Sequence, residues 1–200
     1  MIGSLVLATR NQDKKDELSS LLAELGICLR TLEEFPGAPD VVEDGETCEA
    51  NAVKKATEIA RYTGHMSLAD DTGLQVKALG GRPGVFAARY AGLGASYEDN
   101  WRKVLHEMKG VPRECRQALF ITVAAVARPG SEVHVADGTL EGMIAERPMG
   151  DNGFGYDPIF FIPSLGKTMA QLSAEEKNSM SHRAIALRKA KVILQVMIKQ

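Results

Sequence analysis

Short unbroken apolar runs alternate along the first half of the chain with longer stretches in which apolar residues return every three or four positions. Leu5-Val6-Leu7-Ala8 is the first such run, the pattern of a strand buried on both faces. After a polar loop, Leu18, Leu21, Leu22 and Leu25 recur at helical spacing, and Gly26 supplies a stop. Residues 27–32 read as a second strand, and Pro36 to Gly45 as a turn-rich acidic loop. A helix is expected from about Glu46 to Tyr62, with Val53, Ala56, Ile59 and Ala60 on one face and Gly64 at its end. Met66 to Ala69 reads as a strand that stops at Asp70-Asp71.

The pattern then changes. Gly80-Gly81-Arg82-Pro83-Gly84 is a loop by composition. Ser96 and Asp99 form a capping pair for a helix carrying Trp101, Val104, Leu105 and Met108. Ala118 to Ala127, Glu132 to Ala136 and Leu140 to Ala145 read as strands separated by turn residues, an antiparallel meander. A glycine-rich loop, Pro148 to Pro158, precedes a strand from Ile159 to Ile162. Ser173 with Glu176 caps a short helical turn, and Ser181 opens the last helix. Alternating helices and strands followed by clustered strands indicate an α/β fold with a mixed sheet.

The chain has 200 residues, enough for one domain spanning 1–200. Its 44% hydrophobic and 25% charged residues are the balance of a soluble globular protein. A net charge of −2 argues against bulk nucleic-acid binding, so cations that serve an anionic ligand must be concentrated locally. Cys28, Cys48 and Cys115 lack metal-ligand spacing and read as reduced, buried or half-buried thiols. Ile2 to Ala8 is too short for a leader, and the apolar runs at 119–127 and 159–162 are too short to span a membrane. A cytoplasmic protein without membrane partners is expected.

Four clusters carry candidate chemistry. Thr9-Arg10-Asn11-Gln12-Asp13-Lys14 joins a strand to a helix, where free backbone N–H groups and the helix dipole favour an anion; the bland alternative is an ordinary solvated turn. Asp70 and Asp71 stand where a buried strand ends, and on extended backbone they point to opposite sides. One of them, with Glu43 from the acidic loop, suits Mg²⁺ or Mn²⁺, since the donors are oxygens without His or Cys. Taken alone, Glu43 reads rather as part of a solvated, helix-capping acidic loop. Phe154 and Tyr156 either stack on a purine or plug a gap beneath their loop, and Asp157 can accept from a base or a ribose. Ser181-His182-Arg183 gathers donors suited to an oxygen on a purine ring, or is merely a helix start.

In this order and spacing, with Glu49-Ala50-Asn51-Ala52, Gly80 to Gly84 and Glu176-Lys177-Asn178 between them, the motifs resemble the inosine/xanthosine triphosphate pyrophosphatase family from Leu5 to about Ala190. The resemblance implies Mg²⁺-dependent hydrolysis of deaminated purine nucleoside triphosphates between the α and β phosphates. It implies an elongated mixed α/β sheet with flanking helices, two lobes around a central cleft, and a homodimer. Thr9, Arg10, Asn11 and Lys14 would hold phosphates, with Lys55 and Lys177 adding charge. Asp71 would be general base and metal ligand, Glu43 its partner ligand, and Asp70 a close helper. Thr72 would touch substrate; Phe154, Gly155, Tyr156 and Asp157 would line the base pocket, and His182 with Arg183 would read the base. Arg10 stands where the family often has glycine, and Asp13 is unusual beside phosphates. A pyrophosphatase for modified pyrimidine nucleotides, a nucleotide sensor that no longer cleaves and an RNA-binding domain are the rival readings.

Overall fold

The computed structural model describes residues 4–198; Ile2 and the two ends of the expected 1–200 domain lie outside the described residues. The elements in chain order are β1 (Ser4–Leu7), α1 (Gln12–Leu22), β2 (Cys28–Thr31), α2 (Cys48–Thr63), β3 (Met66–Val76), β4 (Pro83–Gly84) and α3 (Tyr97–Glu107). They continue with β5 (Gln117–Ala127), β6 (His134–Ile144), β7 (Phe160–Ile162), β8 (Lys167–Thr168), α4 (Ala174–Met180) and α5 (His182–Ile198). The strands form one eight-stranded sheet in the order β2-β1-β3-β5-β6-β7-β8, with β4 paired to β3. Pairing is parallel at β1–β2 and β1–β3 and antiparallel at β3–β4, β6–β7 and β7–β8. The expected α/β class with a mixed sheet is therefore what the chain adopts.

The chain divides into two compact units. The first takes Met1–Asp71, Thr122–Gly138 and Arg183–Gln200; the second takes Thr72–Ile121 and Thr139–His182. In the first unit the sheet is covered on both faces, which is why β1 reads as an unbroken apolar run. Leu5 and Leu7 pack with Leu18 and Leu22 of α1 and with Ala186, Leu187, Ala190 and Leu194 of α5. Val6 and Ala8, pointing the other way, pack with Ala52, Ala56, Ile59 and Ala60 of α2. Successive side chains of a strand alternate between faces, so α1 and α5 own one side and α2 the other. Helix α2 starts at Cys48, two residues later than expected, because the Thr47 side chain accepts from Ala50 N–H and caps it. Gly64, in the left-handed conformation, ends it as expected.

The core of the second unit gathers Leu74 and Val76 of β3, Val104 and Met108, Phe120, Ile144, Ile159 and Phe160. The Phe120 and Phe160 rings lie 4.3 Å apart. Gly142 makes room for them, since a Cβ there would lie 2.5 Å from the Phe160 ring.

Several boundaries differ from those expected. Strand β3 does not stop at Asp70-Asp71 but continues to Val76, because partners from α1, α2 and α5 meet both carboxylates and apolar residues follow. The two strands expected at 132–136 and 140–145 are one strand, β6, with Asp137-Gly138 extended inside it. Pro83–Gly84, within the expected loop, pairs with β3, and Lys167–Thr168 forms a further short strand. Asp157–Ile159 makes one 3-10 turn, so β7 begins one residue later than expected. Cys28 and Cys115 are exposed rather than buried; Cys48 alone is half-buried, and no disulfide joins them.

Candidate active site

Strand alternation decides the environment of the paired aspartates. Leu68 faces α1 and α5, Ala69 faces α2, and the two acids continue that alternation. Asp70 thus meets α1 and α5: its Oδ2 lies 3.1 Å from Lys14 Nζ and 3.1 Å from Arg183 Nε, with its side chain fully buried. Arg183 in turn donates through Nη1 to Glu17 Oε2 at 2.6 Å. Asp71 meets α2, where Asn51 Nδ2 donates to its Oδ2 at 3.2 Å and Lys55 Nζ lies 3.6 Å from its Oδ1. Both lysines also donate to the main-chain carbonyl of Asp70, at 3.4 Å for Lys14 and 2.7 Å for Lys55. Two ammonium groups converge on one point of the strand.

The two carboxyl groups are pushed in opposite directions. Burial pushes Asp70 up, but Lys14, Arg183 and Lys55 outweigh it and hold the group well below the usual carboxylate range. Burial also pushes Asp71 up; Lys55 and Lys14 offset this only in part and Glu43 adds to it, so Asp71 stays above its ordinary value. Adjacent carboxyls with separated pKa values are suited to different tasks, one a fixed charge and the other a proton acceptor. The lysines differ likewise. Burial lowers Lys14 in spite of Asp70, whereas Asp71, Asp70 and Glu43 overcome burial and raise Lys55. Asp70 Oδ1 is buried and lacks a hydrogen-bond partner among the described residues. Such an acceptor costs roughly 1–3 kcal/mol, a cost usually tolerated for function.

Glu43 joins the same cluster, accepting from Lys55 Nζ at 2.5 Å. Glu43 and Asp71 are therefore drawn to a single cation, the Lys55 ammonium, and their hard oxygens fit Mg²⁺ or Mn²⁺. Among the described residues no group of three or more His, Cys, Asp or Glu side chains is placed to hold a metal ion.

The loop before α1 is preorganised. Asn11 caps the helix by accepting from Lys14 N–H at 3.1 Å, and Thr9 Oγ1 accepts from Asn11 N–H at 3.2 Å. Arg10 takes no positive φ and so keeps an ordinary backbone. Its guanidinium donates to the Ala38 carbonyl at 2.8 Å.

In the second unit, the loop 153–157 wraps around an ion pair. Lys177 Nζ lies 2.5 Å from Asp157 Oδ2, which also accepts from Phe154 N–H at 3.0 Å. Gly153 has φ of +71°, and a Cβ there would run into the Asp157 carboxylate, so glycine is required twice over. Phe154 is half-buried, 5.7 Å from Tyr97, with Lys177 Nζ 4.8 Å from its ring centre. Tyr156 is a core residue whose hydroxyl donates to the Ala87 carbonyl at 2.7 Å. His182 stacks on Phe120 at 4.4 Å. Gly155, between Phe154 and Tyr156 in the chain, takes φ of +63°, and Thr72 is half-buried in β3.

Of the residues singled out from sequence, Lys14, Glu43, Lys55, Asp70, Asp71 and Arg183 thus form one cluster in the first unit. Phe154, Asp157 and Lys177 form another in the second. Arg183 is committed to Asp70 and Glu17. Asn51 stands in a motif quoted above but carries no role there, and Glu17 is not singled out at all. Asn51 had a signal, being an amide four residues before Lys55 on the alanine-rich buried face of a helix. It also accepts from Gly45 N–H at 2.8 Å, tying the acidic loop to α2. Glu17 had none, since a glutamate on a polar helix is usually solvated.

The model of the Ham1 family matches residues 5–193. A dITP/XTP pyrophosphatase of Shouchella clausii is 49% identical over 186 residues, 93% of either chain. One of Geobacillus kaustophilus is 50% identical over 185 residues, covering 92% of this chain and 91% of its own. Among solved structures, a HAM1 protein from Coxiella burnetii has a TM-score of 0.88 at 40% identity, over 96% of this chain and 98% of that one.

Proposed function

This chain belongs to the Ham1 family, and from that premise we propose that it hydrolyses deaminated purine nucleoside triphosphates (ITP, dITP and XTP) to the monophosphate and pyrophosphate. The observation that carries the mechanism is the opposed placement of the two acids, Asp70 held between Lys14 and Arg183 and Asp71 facing Asn51 and Lys55. Asp71 is the general base. It takes a proton from the water whose oxygen attacks the α phosphorus, while the bond from that phosphorus to the α–β bridging oxygen breaks and pyrophosphate departs. Asn51 holds the Asp71 carboxylate through one oxygen. Asp70 stays ionised and fixes Lys14 and Arg183, so that the two lysine ammoniums meet the triphosphate. Thr9, Arg10, Asn11 and Thr72 contribute to substrate binding.

Glu43 and Asp71 are the residues that would hold Mg²⁺ or Mn²⁺. When bound, the metal neutralises phosphate charge.

Phe154, Gly155, Tyr156, Asp157 and His182 are assigned to the purine and Lys177 to the phosphates, with Arg183 assigned to the base by resemblance and to Asp70 by its contacts. Donors that pair with the six-position oxygen of hypoxanthine or xanthine are left unpaired by the amino group of adenine. A mismatch of that kind discriminates by roughly 10⁴-fold. The proposal includes a homodimer acting in the cytoplasm on a small-molecule substrate, without nucleic-acid or membrane partners; no described helix is long and apolar enough to cross a membrane. The test is product identity: IMP and pyrophosphate from ITP are expected, and release of orthophosphate would overturn the bond assignment.

A further inference from the structure

A cavity of about 260 Å³ in the second unit shares no lining residue with the site described above. Three arginines line it, Arg113, Arg116 and Arg147, against one acidic residue, Glu146. Arg116 is 5% exposed, and it donates to four main-chain carbonyls: Ile144 at 2.7 Å, Ala145 at 2.9 Å, Met108 at 3.0 Å and Val111 at 3.3 Å. Carbonyl dipoles satisfy its N–H groups and hold the wall formed by Ile144 and Ala145, but they do not cancel its formal charge. Arg113 and Arg147 are exposed, and neither forms an ion pair among the described residues. Arg113 lies over the Phe161 ring, 6.0 Å from its centre. Met143, Met149 and Phe161 make the rest of the lining apolar.

We propose that this cavity binds a small organic phosphate monoester. Its oxyanion sits on the Arg113 and Arg147 forks in the field of Arg116, and its apolar body lies against Phe161, Met143 and Met149. Guanidinium groups match phosphate oxygens two at a time, and the excess of two positive charges matches a phosphate monoester that is close to dianionic at neutral pH. The volume falls just under the roughly 300–1,000 Å³ typical of drug-sized ligands, which makes the occupant smaller than a nucleoside triphosphate. The site is independent of the catalytic assignment.

Phenyl phosphate is the probe, titrated into the full chain and followed by amide chemical shifts. Saturable shifts at Arg113, Ala145, Arg147 and Phe161 are expected, with a dissociation constant on the order of 1 mM or tighter. The double variant Arg113→Gln, Arg147→Gln should bind at least about tenfold more weakly and keep the wild-type rate on ITP. Shifts confined to the Lys14 and Lys55 region would overturn the proposal. So would unchanged binding by the double variant, or equal shifts at these amides with phenol, which lacks the phosphate.

Discussion

Replacing Asp71 by asparagine keeps the size of the side chain and removes the carboxylate that the mechanism uses. Turnover of ITP should fall by roughly 10²–10⁴-fold, the range typical of a lost general base. Binding of ITP, measured by equilibrium titration, should change by less than about tenfold, or 1.4 kcal/mol. A variant that hydrolyses ITP near the wild-type rate would remove Asp71 from the reaction. The shifted groups also predict the pH profile. Asp71 must be ionised and lies above its ordinary 3.8, so the acid limb of kcat/KM should sit above that value. Lys14 must be charged and lies below its ordinary 10.5, so the alkaline limb should begin below it. A rate that stays flat through both ends of that window would contradict these roles. At this scale the pair Asp70-Asp71 and its divergence were legible from sequence, because alternation along a strand is a local rule. The partners were less so: Arg183 lies 113 positions from Asp70, and nothing local announces that contact.

At the scale of elements, the clearest readings were those with local causes. Helix α1 with the 3-10 turn Ala23–Leu25 that follows it and ends at Gly26, α2 with Gly64, and α3 with its Ser96–Asp99 capping box all have them. The misread boundaries have tertiary causes. Strand β3 continues through two charges that distant cations offset, and β6 passes through an Asp-Gly pair that resembles a turn. Gly142, inside β6, was also invisible as a packing residue, although its missing side chain is what admits Phe160. For Gly142→Ala the new Cβ would press on the ring and on the Phe161 carbonyl, 2.7 Å away. The expected cost is about 2 kcal/mol, seen as a melting temperature lower by roughly 4–8 °C. An unchanged melting temperature would mean that Phe160 has room to move.

For the whole molecule, the sequence-level conclusion that cations must be local is met by the way the fold uses them. A chain of net charge −2 brings Lys14, Lys55 and Arg183 together around two adjacent acids in one unit. The other unit holds Lys177 against Asp157. The two-unit division does not follow from the pattern of elements, because β3, β5 and β6 each carry residues of both; two lobes enter the sequence reading through the family resemblance. The substrate class is the central claim, and it is tested most directly by pyrophosphate release with Mg²⁺ from ITP, XTP, GTP and ATP side by side. Fast release from ITP and XTP is predicted, with ATP slower by roughly 10⁴-fold in kcat/KM. Equal release from ITP and ATP, or release from none of the four, would contradict it.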